Sequence, residues 1–189
     1  MKAKVGFTDK AKAQVLASHG ALSGLKIGGR FQVECFRKGK LIWKEDVHNI
    51  WTDEGLNRIL DVFFHGTPQT ATWYCGLVET DTAPNAGMNY DVPVFTESTS
   101  YDEAARPAYV EAASSGKSMT NSASKAVFTI SATKTMYGAA LFSVSTKGDH
   151  AAGANNVLAC YAKFASGRSV LDDDVVNLTY TVTSADDGV

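Results

Sequence analysis

The stretch Val176-Asn177-Leu178-Thr179-Tyr180-Thr181-Val182-Thr183 decides the fold. Val176, Leu178, Tyr180 and Val182 alternate with Asn177, Thr179, Thr181 and Thr183. That is the two-residue period of a strand with one buried and one wet face. The period recurs upstream. Across Arg30–Cys35, Phe31, Val33 and Cys35 share a face, which makes Cys35 a small core hydrophobe. After the polar break Arg37-Lys38-Gly39-Lys40, Leu41, Trp43 and Glu45 alternate with Ile42 and Lys44, so the two runs form a hairpin. Thr72–Val78, Ala126–Ile130 and Tyr137–Phe142 read as further strands, the last two joined by a short Thr/Lys turn. Leu158, Cys160, Ala162 and Phe164 make another, after which Ser166-Gly167-Arg168 turns the chain. About seven or eight short strands define a mainly β chain, an antiparallel β-sandwich with the jelly roll among its windings.

One helix interrupts the strands, over about 52–65. Thr52 stands at the N-cap, with Asp53 and Glu54 in the first turn against the helix dipole. Leu56, Ile59, Leu60, Phe63 and Phe64 fall at i, i+3, i+4, i+7 and i+8, an apolar face expected to lie on a sheet and close the core. Gly66 and Pro68 end it. Residues 25–189 thus read as the sandwich domain, and 1–24 as an N-terminal arm with Lys2, Lys4, Lys10 and Lys12 among small residues. The irregular stretch from about 80 to 107 holds Pro84, Pro93 and Pro107 together with Tyr90, Phe95 and Tyr101. A loop of that length belongs to an interface or a function.

Charge is unevenly distributed. Eighteen Lys+Arg against twenty Asp+Glu give −2 overall, yet residues 1–48 carry +6 and residues 79–111 carry −6. These regions are expected to meet each other or complementary patches on neighbouring copies, if they are not simply solvated. The balance excludes a nucleic-acid binder by bulk charge. No apolar run approaches the ~18–20 residues of a membrane helix. The opening residues lack the apolar core of a secretory signal. Cys35, Cys75 and Cys160 are far apart, without metal or redox spacing, as suits a reducing compartment.

Catalytic and ligand motifs do not assemble. Asp172-Asp173-Asp174 lacks a calcium-loop pattern and reads as a turn. Asp61 and His65 share a helix face, but a histidine near a helix C-terminus is explained by the dipole. Gly28-Gly29 is a bend at the start of a strand. Gly116-Lys117-Ser118 ends a run whose preceding Walker glycine is replaced by Glu111, so it is a loop. Trp43, Trp51, Trp73 and Tyr74 fill the core rather than form a stacking platform, since each lies beside an apolar period. No cofactor, metal or catalytic residue is expected, and the chain is read as a non-enzyme.

An ordered series of short words goes further. It comprises His48-Asn49-Ile50, Asp53-Glu54-Gly55-Leu56-Asn57 and Ile59-Leu60-Asp61, then Thr72-Trp73-Tyr74 with Gly76-Leu77, and Glu97 with Tyr101 and Arg106-Pro107. Asn121-Ser122-Ala123, Ala126–Ile130, Tyr137-Gly138-Ala139 and Leu178-Thr179-Tyr180-Thr181 complete it. Over about residues 25–183 the series resembles small virion structural proteins of tailed bacteriophages. The resemblance implies a particle component assembled in the host cytoplasm. The expected role is a capsid decoration (cement) protein on the major capsid protein lattice, present as a dimer or trimer, without nucleic-acid or membrane partners. A tail or fibre accessory protein is the alternative, and a carbohydrate-binding module a more distant one. Lys2, Lys4, Lys10 and Lys12 are the expected electrostatic contacts. Tyr90, Phe95 and Tyr101 are the expected loop anchors, because aromatics dominate interface hot spots.

Overall fold

The computed structural model describes residues 24–186. The chain falls into two compact units: a body, Gly28–Thr183, and a smaller unit of the residues on either side of it. Ten strands occur among the described residues: β1 (Leu25–Arg37), β2 (Lys40–His48), β3 (Ile50–Trp51), β4 (Trp73–Val78), β5 (Ala108–Tyr109), β6 (Ser118–Thr120), β7 (Ala126–Thr129), β8 (Lys134–Phe142), β9 (Leu158–Val170) and β10 (Val175–Asp186). The one helix, α1, is Asp53–Phe64, between β3 and β4.

The strands build two antiparallel sheets, as the alternating periods require. The first is ordered β2-β1-β10, with β6 and β7 both pairing with β10. The second is ordered β3-β9-β8-β4-β5. In a jelly roll most successive strands alternate between the sheets. Here β1–β2, β4–β5 and β8–β9 each stay within one sheet, so the sandwich has another winding.

Local chemistry sets the connections. Lys38 and Gly39 both have positive φ, 50° and 76°, between the paired Arg37 and Lys40. That is the two-residue hairpin turn whose twist matches its strands. Gly116 and Lys117 do the same between Ser115 and Ser118, so the Walker-like fragment is a hairpin turn. The expected break at Ser166-Gly167-Arg168 is instead a bulge inside β9. Met136 pairs with Arg168 while Gly138 pairs with Lys163, leaving extra residues on β9. A bulge bends its strand, and beyond this one β9 meets β2 of the other sheet. There Trp43 Nε1 donates to the Ser169 carbonyl at 2.9 Å, and Arg168 pairs with the buried Glu45. Asp172 and Asp173 form the turn into β10. Asp174 is buried, and Arg37 donates to both its oxygens at 2.8 Å. Those bonds outweigh burial and hold the Asp174 carboxyl below the usual range.

The inward faces fill one core. Phe31, Val33 and Cys35 of β1, Val176, Leu178 and Tyr180 of β10, and Leu77, Leu141, Cys160 and Phe164 of the second sheet belong to it. Phe31 and Tyr180 stack at 4.4 Å between ring centroids. The second sheet is apolar on its other side as well, where Ala140, Phe142, Leu158 and Tyr161 join a separate cluster with Met88, Tyr90 and Phe95. This explains why β8 and the start of β9 are buried at nearly every position.

The helix departs from its expected orientation. Thr52 caps it, accepting from Gly55 N at 2.9 Å, and donates to β9 at the Leu158 carbonyl. The side that meets β9 is Gly55, the one buried residue, flanked by the half-buried Arg58, Ile59 and Val62. Arg58 is tied by Asn155, the Pro68 carbonyl and Thr70. Leu56, Leu60, Phe63 and Phe64 point away and are exposed. A Cβ on Gly55 would collide with the Ala159 carbonyl, so glycine there permits the close approach. Alanine usually stabilises a helix interior over glycine by up to about 1 kcal/mol. Here Gly55→Ala is expected to reverse that sign and cost about 1–3 kcal/mol in a denaturant melt, as overpacking does.

Candidate functional site

The loop between β4 and β5 is fixed to the outer face of the second sheet by buried charge. Glu97 and Arg106, nine residues apart within it, are 1% and 0% exposed in their side chains. Arg106 Nε and Nη2 donate to the two carboxylate oxygens at 2.7 Å each. Its remaining donors reach the Val144 carbonyl at 2.7 Å, the Asp149 carbonyl at 3.0 Å and the Tyr90 hydroxyl at 3.3 Å. A guanidinium has five N–H groups, and every one is used. Its carbon also lies 4.1 Å from the Phe142 ring centroid, in cation–π range. Glu97 accepts further from Gly148 N at 2.9 Å, and His150 Nε2 is 3.4 Å away. Burial pushes the Glu97 carboxyl up, but Arg106, His150 and the Gly148 amide outweigh it and hold it low.

Backbone bonds finish the attachment. Ser98 N donates to Leu77 O, Glu79 N to Thr96 O, Arg106 N to Ser145 O and Cys75 N to Pro107 O, all at 2.7–2.9 Å. Glu54 of α1 joins loop to sheet by accepting from Tyr90 N at 2.9 Å and Leu158 N at 2.7 Å. Burial raises the Glu54 carboxyl despite those two amides. Held on both sides, the loop tolerates Val94, a β-branched residue at φ 65°, a conformation worth of order 1–3 kcal/mol of strain.

Four of the seven acids of residues 79–111 have partners within the chain, while Asp91, Asp102 and Glu111 are exposed. Glu79 takes Lys134 and Ser98, Asp81 takes Lys163, Glu97 takes Arg106, and Glu103 takes the Thr129 amide and hydroxyl. Among the described residues no ion pair joins 24–48 to 79–111. The basic side chains there use Asp46, Asp174 and Glu34 instead.

The expected loop anchors have a different place. Tyr90, Phe95 and Tyr101 are 1%, 6% and 2% exposed. Tyr90 and Phe95 pack edge-on against Phe142, and Tyr101 against Phe128. They are core residues, not side chains offered to a partner, because the second sheet has an apolar outer face and the loop is its cover. Lys2, Lys4, Lys10 and Lys12 lie outside the described residues. Trp43, Trp51 and Trp73 are half-buried against the main core. Among the described residues no three His, Cys, Asp or Glu side chains gather in metal-binding geometry.

Large apolar side chains are also exposed at Leu25, Leu41, Val92, Val94 and Val110, but the outer side of α1 gathers four of them on one element. Phe63 and Phe64 are each 78% exposed, in edge-to-face contact at 4.8 Å, and Leu60 and Leu56 continue the strip toward the N-terminus at 54% and 39%. The 3.6 period exposes this strip to the eye, but a period does not say which face turns inward. The signal was Gly55, the only small residue on the helix and the one that allows backbone contact. No protein-family model matches the chain, and no curated protein matches it.

Two sets of outcomes are expected, one for the buried charges and one for the cysteines. Arg106→Met strands a buried carboxylate and should cost about 3–5 kcal/mol. Combined with Glu97→Leu it should show about 2 kcal/mol of coupling in a double-mutant cycle. Because the Glu97 and Asp174 carboxyls sit low in the folded state, their contribution is complete above the ordinary carboxylate range and fades as pH falls through the lowered values. Melts should accordingly be flat near neutrality and drop in acid. Second, Cys35, Cys75 and Cys160 are free and buried, and burial lifts Cys35 and Cys160 to about 12 and Cys75 higher still. A thiol reagent should leave the native chain unlabelled and modify all three after denaturation.

Proposed function

We propose that this chain is a structural component of a bacteriophage particle, a decoration protein that binds the assembled major capsid protein and reinforces the head. The observation that carries the reading is the outward strip of α1. Two adjacent phenylalanines are left in water, whereas every other Phe, Tyr and Trp among the described residues is buried or half-buried, including those of the longest loop. Exposed apolar surface of this kind marks contact with another chain of an assembly, as a component of a particle lattice requires. The ordered resemblance over residues 25–183 supports a virion setting. The internally pinned loop supports a load-bearing role, since a block held from inside transmits force without opening.

Quantitative mass spectrometry of purified particles tests this. Copies in a simple ratio to the major capsid protein are expected. A few copies per particle would move the chain to the tail or fibre, and absence from particles would overturn the structural reading.

A further inference from the structure

The outer side of α1 is half apolar and half acidic. Beside the strip of Leu56, Leu60, Phe63 and Phe64 runs a row of exposed Asp53, Asn57 and Asp61. The last turn of the helix carries no basic residue. Two such faces meeting about a two-fold axis would bring carboxylates together at the edge of the apolar contact, which costs free energy. The chemistry that fits is apolar and basic.

Residues 1–23 have that chemistry. Lys2, Lys4, Lys10 and Lys12 stand against the single acid Asp9, a balance of +3, among Val5, Phe7, Val15, Leu16 and Leu22. A segment of this length spans up to about 75 Å if extended, against roughly 18 Å for a helix of 12 residues. Extended, it is several times longer than the strip it would cover. We infer that the apolar strip of α1 is the docking site for the N-terminal segment of a second copy of this chain. Asp53 and Asp61 take its lysines, and Leu60, Phe63 and Phe64 take its apolar side chains. The choice of a neighbouring copy rests on the assembly reading above: a head-to-tail clasp joins copies around a symmetry axis. It also shifts the lysines from the capsid surface to the next copy.

The test uses full-length chains, light and heavy isotope forms mixed one to one, and a carbodiimide that joins an amine to a carboxylate in contact. Cross-links from the N-terminal lysines to Asp53 or Asp61 are expected in mixed-isotope pairs. Phe63→Asp with Phe64→Asp should lower their yield at least about tenfold, the loss typical of hot-spot aromatics. Both rings are on the surface, so the circular dichroism melt should be retained. Lys10→Glu with Lys12→Glu should do the same, with recovery when the other copy carries Asp53→Lys and Asp61→Lys. Cross-links confined to same-isotope pairs would overturn the proposal, as would their absence or an undiminished yield in the Phe63/Phe64 variant. The cross-links are read on the purified chain and the copy number on particles, so this inference and the virion reading fail separately.

Discussion

A carboxylate and a guanidinium, both withdrawn from water between a loop and a sheet, organise this protein. Burying an ion costs several kcal/mol, and the pair repays that only if the remaining donors and acceptors are satisfied. Glu97 and Arg106 meet the condition. The guanidinium bonds both carboxylate oxygens, two carbonyls and a tyrosine hydroxyl, and it rests on the Phe142 ring. Those partners come from the loop before β5 and from residues 144–149 after β8. The pair therefore clamps two long connections to each other and to the second sheet. Once the loop is down, Tyr90 and Phe95 cover Phe142 and Tyr161, and the Tyr90 amide reaches Glu54 at the start of α1.

The two sheets differ as a result. The first keeps a polar outer face, where Arg30 pairs with Asp46, and Lys44 and Lys125 share Glu34. The second is buried on both faces, one under the first sheet and one under the loop. With the core closed in this way, α1 is not needed as a lid. It rests on β9 through a glycine and an arginine held by polar bonds, and its large apolar side chains face outward. A surface helix built that way leaves most of its large apolar side chains in water.

Much of this was legible in the residues. The alternation in Val176–Thr183 and Arg30–Cys35 placed β10 and β1 and chose their buried faces, since a one-residue slip would have turned Val and Leu to water. Thr52, Gly66 and the acids between marked the helix ends, and the loop of about 80–107 falls between β4 and β5 as read. Three things were not legible, each for a physical reason. Helical period reveals a stripe, but the packing partner decides which side is buried, and Gly55 against Ala159 outweighed four large side chains. Charges in an irregular segment read as solvated, and nothing local distinguishes Glu97 and Arg106 from Asp91 or Asp102. The destination of the loop aromatics depended on the second sheet having two apolar faces. That appears only when Ala139 and Leu141 go to one core and Ala140 and Phe142 to the other.

The buried pair is expected to make the loop as stable as the sheet beneath it. Native-state hydrogen exchange at Glu79, Ser98 and Arg106 tests it most directly, because their amides bond across the loop's attachment. These three should exchange only through global unfolding, with the same free energy and denaturant dependence as the amides of β8. Faster exchange at these positions, insensitive to denaturant while β8 stays protected, would show that the loop opens by itself and that the buried pair does not hold it to the sheet.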